Sequence, residues 1–445
     1  MLNSIQVAGL IVITLLLLFQ LRSAAERDRP VLWLMTLVFF VYFVYSGGIR
    51  LDWNMREWSH TFDVSEHYIT VATWLVVVII IAVRCGYSIS QRPKATRVAR
   101  GIVVYDQFLL LFLSVLGLGA MALVFHLRGD VVSVWSRSVD GPVIPWAGVL
   151  SGLSDLALVY PLFTYYYLED STVFRLTISV IILAIYGVLA MVSGVSTHHV
   201  MRLTPFLLVW LTRRRLTLVR TVLVVVAAFV VFSFLRFSRQ LGVAMYLGGG
   251  LREAYAAYSD PDNCLNAENS FGEFITFSQV VQVVDRHTDW QWGGSYLLAP
   301  VGLVPGVLLP GKAELGERVS AGMFLPSYYG VSGITWTVGF YGEAYMNFGL
   351  PGLIVISFLF GWLMRKAEVL LKSEGAVSWL PHWYIGCALA ATLTVLVRNE
   401  SVEALGFLLP IGLAIVFGEL MSLLLPYGPV RTVSAVVVYE RSSTR

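Results

Sequence analysis

The stretch YGEAYMNFGLPGLIVISFLFGWLMRK begins at Tyr341 and places Glu343 shortly before a run apolar enough to enter a bilayer. Dehydrating a carboxylate is costly, so one kept at such a place needs a task or a partner. The task is proton acceptance, because partial dehydration raises a carboxyl pKa toward neutrality. The partner is an arginine at the same rim, with Glu343 then ordering the adjoining loop. His198 and His199, in STHHVMR, are further candidate proton carriers, or caps where two helices join. Asp155 falls near the middle of another apolar segment. There an ionisable group is functional, or else the structural partner of a buried arginine.

Cations stand in a matching pattern. Arg50, Arg202, Arg236, Arg239 and Arg398 lie at ends of apolar segments. A single arginine there is explained by a side chain reaching the interface. Five of them suit an anion, since the planar guanidinium fork grips phosphate or pyrophosphate with paired hydrogen bonds. Neither a Walker loop nor a dinucleotide fingerprint is present, and no HExxH, paired CxxC or DxD-like cluster calls for a metal. Cys85, Cys264 and Cys387 have no disulfide or metal-site spacing. No cofactor is expected.

Positioning these groups falls to helices in a membrane. Of 445 residues 57% are hydrophobic and 13% charged, about half the charge of a soluble domain. The excess is spread over the whole length, which predicts an all-α polytopic membrane protein. Eleven segments meet the requirement of about 20 mostly apolar residues. They are 2–21, 31–49, 68–84, 107–126, 145–167, 175–193, a short 201–212, 216–235, 349–365, 379–397 and 404–424. The first lacks a basic leader and a cleavage site and reads as a retained span.

The basic clusters Arg22–Arg29, Arg84–Arg100, Arg213–Arg215, Arg365–Lys366 and Arg431–Arg445 fall on one side of this arrangement. That side is the cytoplasmic one, with the N-terminus outside and the C-terminus inside. The opposite side carries a long segment, 236–348, too apolar for a disordered linker. Within it Phe271, Phe274, Phe277 and Val281 recur at helical spacing and predict an amphipathic helix over Ser270–His287. SYLLAPVGLVPGVLLPGK (Ser295–Lys312) is apolar but broken by three prolines, which suits a segment dipping into the interface. Glu268, Glu273 and Asp285 read as solvated loop charges. The basic residues are accounted for by topology, so nucleic acid is not an expected partner. No internal repeat of the kind found in inverted-repeat transporters is visible.

SYLLAPVGLVPGVLLPGK followed by GFYGEAYMNFGLPGL resembles the pattern of Wzy-type oligosaccharide repeat-unit (O-antigen) polymerases. That family has a proline-rich P-x-x-L-x-P-x-K stretch before G-E-x-Y-x-N-F-G-x-x-G at the mouth of a late span. The resemblance is specific over Ser295–Gly352 and loose elsewhere; GVSTHHVMR stands where family members often have Gly-Ser-Arg. It implies a GT-C-like architecture, with a single membrane domain over 1–445 and a large periplasmic loop. The implied activity is glycosyl transfer on the outer face of a bacterial inner membrane. Donor and acceptor would both be glycans on undecaprenyl pyrophosphate, and a chain-length-regulating co-polymerase is an implied partner. Glu343, His198 and His199 are then the candidate catalytic residues. Arg202, Arg236, Arg239, Arg318, Arg398, Tyr341 and Tyr345 are the candidate substrate-binding set. Rival readings are a lipid-linked oligosaccharide flippase, which has no need of so long a one-sided loop, and an O-antigen ligase, which uses the same donor with a lipid A core acceptor.

Overall fold

In lipid an apolar segment must satisfy its own backbone, and the helix is the local way to do so. The computed structural model describes residues 3–49, 64–89, 102–105, 107–127, 153–167, 171–193, 202–213, 249–259, 273–286, 290–304, 338–373, 376–377, 380–398 and 430–433, with isolated positions at 150, 217–241, 309 and 408–416. The described residues are predominantly helical, and five of the helices are long and apolar enough to cross a membrane.

The first of these, α1 (Ser4–Glu26), opens on a reciprocal cap. The Asn3 side chain accepts from the Gln6 N–H at 2.8 Å, and the Gln6 side chain accepts from the Asn3 N–H at 2.9 Å. A tight turn through Asp28 leads to α2 (Pro30–Phe39), started by a proline whose missing N–H costs nothing at that position. The same segment continues as a π-helix over Phe40–Ile49. Next come α3 (Glu66–Ile89), α4 (Gln107–Leu127), and a 3-10 turn, Asp155–Leu158, leading into α5 (Val159–Tyr166). They are followed by α6 (Val173–Ser193) and the short α7 (Thr204–Arg213). The long segment contributes α8 (Leu251–Ser259), α9 (Glu273–Arg286) and α10 (Gly294–Leu298), the last running on as a 3-10 turn, Ala299–Leu303. The bundle is completed by α11 (Gly339–Lys372) and α12 (His382–Arg398).

Two small antiparallel ribbons depart from the all-helical expectation. One pairs β1 (Ile102–Tyr105) with β4 (Val430–Val433); the other pairs β2 (Ala376–Val377) with β3 (Leu380–Pro381). The first is rich in β-branched residues, which favour a pleated conformation where no apolar run enforces a helix. It runs from Ile102 opposite Val433 to Tyr105 opposite Val430. The predicted spans 216–235 and 404–424 are represented only by isolated positions and lie largely outside the described residues.

The core is built on α3 and α11, which approach so closely that no side chain fits between them. A Cβ on Gly86 would stand 1.9 Å from the Phe358 carbonyl oxygen, and one on Gly361 equally close to that of Val83. Small residues at a crossing allow this backbone contact between apolar helices. The amphipathic helix predicted over Ser270–His287 is present as α9. Its Phe274, Phe277 and Val281 are buried, while Phe271 lies outside the described residues.

Candidate functional site

α11 is not one helix. Gly349 has φ 62° and ψ −149°, a conformation closed to other residues, and Pro351 follows it. A Cβ at Gly349 would also meet the Trp290 ring at 2.8 Å. Proline lacks an N–H, so the carbonyl four residues earlier, that of Asn347, loses its helical donor, and the break at Gly349 likewise frees that of Met346. An incoming turn satisfies both. The Gln291 N–H donates to the Met346 carbonyl at 3.1 Å, and the Trp292 N–H to the Asn347 carbonyl at 3.0 Å.

The Asn347 side chain then ties the turn to the helix. Its oxygen accepts from the Gly293 N–H at 2.9 Å. Its nitrogen donates to the Ser295 hydroxyl at 2.7 Å and to the Glu343 carbonyl at 2.8 Å. Trp292 and Gly293 are both held at positive φ, 50° and 87°, a strained turn of the sort that surrounding hydrogen bonds maintain. The two stretches that carried the family resemblance therefore meet at one buried asparagine. An Asn347→Leu substitution should leave the Gly293 N–H and the Ser295 hydroxyl buried without partners, at about 1–3 kcal/mol each. Thermal unfolding in detergent measures this, and an unchanged melting temperature would separate the junction from stability.

Glu343 lies one turn before Asn347 and is fully buried. So is Tyr341, whose ring meets Phe277 of α9 at 5.1 Å and Phe43 of the π-helix at 5.2 Å. Tyr345 is half-buried, with Phe277 at 6.3 Å. Before the kink α11 is enclosed nearly all round; beyond it Leu350, Ile354 and Val355 turn outward. The Tyr296 hydroxyl is buried and has no hydrogen-bond partner among the described residues. Burial first, and then the charge of Glu343, hold it well above the usual phenol range. A phenol kept protonated next to a dehydrated carboxylate is a donor awaiting an acceptor.

Asp285, expected as a solvated loop charge, accepts a hydrogen bond from the Tyr68 hydroxyl at 2.6 Å. Arg286 also reaches that hydroxyl, at 3.3 Å, so the pair docks α9 onto α3. Arg398 is the last residue of α12. This helix end adjoins the start of α11, because a Cβ on Gly339 would stand 2.5 Å from the Val397 carbonyl oxygen. Arg398 and Glu343 thus belong to the same end of the bundle.

Arg202 and Asp155 are elsewhere. Both are largely shielded from solvent, and they form an ion pair, so Asp155 has the arginine partner that was one of its two expected roles. Together with Leu162, Phe206, Tyr384 and Cys387 they line a cavity of about 60 Å³. That space takes a water or two and no sugar ring. His198, His199, Arg236, Arg239 and Arg318 lie outside the described residues, as does Glu268; Glu273 opens α9.

Sequence reasoning missed Asn347, Ser295, Gly293 and Tyr296. One signal was present: a proline four residues after an asparagine, inside an apolar helix, announces a freed carbonyl that something polar must fill. No protein-family model, curated protein or solved structure matches this chain.

Proposed function

We propose that the protein is a membrane glycosyltransferase that joins lipid-linked oligosaccharide repeat units into a polysaccharide on the outer face of a bacterial inner membrane. The observation that carries the reading is the junction at Asn347. The two stretches by which the chain resembles repeat-unit polymerases are distant in sequence and hydrogen-bonded in space, around a buried carboxylate.

The chemistry follows from what such a substrate brings. A glycan on undecaprenyl pyrophosphate is already activated, so neither nucleotide nor ATP is required. The terminal hydroxyl of the acceptor attacks the anomeric carbon of the donor chain. The bond from that carbon to the pyrophosphate oxygen breaks, and undecaprenyl pyrophosphate departs. The hydroxyl proton passes to the Glu343 carboxylate as its general base. Arg398, with Arg236 and Arg239, stabilises the charge growing on the leaving group. Tyr341 packs the base in place, and Tyr345 and Arg318 contribute to the glycan path. Eleven spans, the 236–348 segment facing the periplasm and a cytoplasmic C-terminus complete the arrangement.

Incubating purified protein in liposomes with lipid-linked repeat units tests this, and the expected product is a ladder of lengths. A single addition to lipid A core would identify a ligase, and exchange between vesicles without growth a flippase. Cationic stabilisation is assigned to arginine, so the ladder should persist in chelator. Its loss, with recovery on adding magnesium or manganese, would reject that assignment. An impermeant thiol reagent checks the topology: a cysteine introduced at Ser270 should be labelled only from the periplasmic side.

A further inference from the structure

The other end of the bundle holds an arrangement that glycosyl transfer does not use. The helix from Glu343 to Glu368 is on the order of 35 Å long, about the thickness of a bilayer core, so the two lie toward opposite faces. At the far end, where α1, α2, α3 and α11 converge, the Tyr87 ring is buried with two guanidinium groups over it, Arg29 at 5.4 Å and Arg365 at 5.6 Å from its centroid. Arg84 lies one turn earlier on α3. Its Nη2 donates to the Ser23 hydroxyl at 3.2 Å, and Arg29 and Arg27 are near enough to repel its charge.

Like charges gathered at a partly buried site need an anion, and the protein offers little. Glu26 is paired with Arg22 at 2.7 Å. Glu368 is buried, accepts from the Val31 N–H at 2.8 Å and faces the Lys372 ammonium at 3.1 Å. It also attracts Arg365, so one carboxylate is shared between two cations and, among the described residues, leaves Arg84 and Arg29 without a counter-charge of their own. Asp28 is exposed, on the turn between α1 and α2. Meanwhile two buried donors, Arg84 Nη1 and Gln20 Nε2, have no acceptor among the described residues. Buried donors without acceptors are uncommon in native structures. In sequence, Arg92, Lys94, Arg97 and Arg100 follow α3 with no acid before Asp106; they lie outside the described residues.

We propose that this cluster is a phosphate-binding site, with Arg84, Arg29 and Arg365 gripping the anion and Gln20 donating to one of its oxygens. The shared chemistry is that of an anionic phospholipid headgroup or of free phosphate. Gln20 stands one turn before Ser23 on α1, and Ser23 is the residue that Arg84 reaches; an amide and a guanidinium so placed, each with a buried donor left over, suit an oxyanion with several acceptor positions. A basic belt serving only topology would leave its donors in water. The inference is independent of the reaction at the Glu343 end.

The test uses the delipidated full-length protein in detergent, with phosphatidylglycerol, phosphatidylcholine or inorganic phosphate added. Bound lipid is read by native mass spectrometry and stability by melting temperature. Phosphatidylglycerol should be retained and should raise the melting temperature, while phosphatidylcholine does neither. Arg84→Gln and Arg365→Gln should each weaken retention roughly tenfold or more. Gln20→Leu guards against misfolding: an apolar residue replaces a buried amide, so the ligand-free protein should melt no lower, yet its response to phosphatidylglycerol should shrink. Stabilisation by millimolar phosphate without lipid would also support the site and identify free phosphate as the source. Equal retention of both lipids with no effect of phosphate would overturn it, as would wild-type responses in both Arg84→Gln and Gln20→Leu.

Discussion

A Glu343→Gln protein should insert, fold and bind lipid-linked donor, yet fail to extend it. Glutamine keeps the size of the side chain and most of its hydrogen bonding, and it leaves the Glu343 carbonyl free to accept from Asn347 as before. What it loses is the capacity to take the acceptor's proton. General-base loss typically costs about 10²–10⁴ in rate, whereas a displaced surface contact costs far less. Full burial sharpens the contrast, because no bulk water reaches the position to take the proton instead. Glu343→Ala should be worse in another way, leaving a hole between α11 and its neighbours and lowering the melting temperature. A ladder from the glutamine variant at near wild-type rate, with loss only in alanine, would make Glu343 an anchor. Attention would then pass to His198 and His199.

How much of this was legible depends on what each element needed. Helices α1, α3, α4 and α6 were readable because an apolar run of their length in lipid has one solution, and the structure ends each within a few residues of its predicted limit. The helix over Glu273–Arg286 was readable because its aromatic residues recur at helical spacing and are buried. The break at Gly349 was not, although Gly349 and Pro351 stand in the sequence, since the same residues occur in helices that kink without binding anything. Its consequence depended on where Gln291 and Trp292 arrive, a distant contact that local pattern does not encode. The ribbon of Ile102–Tyr105 with Val430–Val433 was invisible for the same reason. Burial of Glu343 was expected in part, from the apolar run beyond it, but its enclosure also depends on Phe277 and the π-helix, which packing alone brings together.

Asp155→Asn and Arg202→Met, made singly, should each destabilise the protein by about 3–5 kcal/mol, because each leaves the other's charge buried and uncompensated. Both residues are removed from solvent, with side-chain exposures of 16% for Asp155 and 8% for Arg202. The charge left behind has few places to go, since the cavity beside it is lined mainly by aliphatic and aromatic side chains. Replacing both at once with apolar residues, Asp155→Leu with Arg202→Met, should recover most of the loss, as apolar replacements of buried ion pairs often do. Some cost will remain, because the Tyr186 hydroxyl interacts with the guanidinium. The double variant therefore separates the structural role that the ion pair gives Arg202 from the substrate-binding role that the family resemblance implied. An arginine committed to Asp155 is a strut, and the folded double variant should then polymerise within about tenfold of wild type, since a tenfold change corresponds to only about 1.4 kcal/mol of barrier. An arginine that must release Asp155 to hold pyrophosphate would give an equally well-folded double variant with no ladder. The geometry favours the strut, because the guanidinium is already paired with Asp155 and the space beside it is lined mainly by apolar side chains.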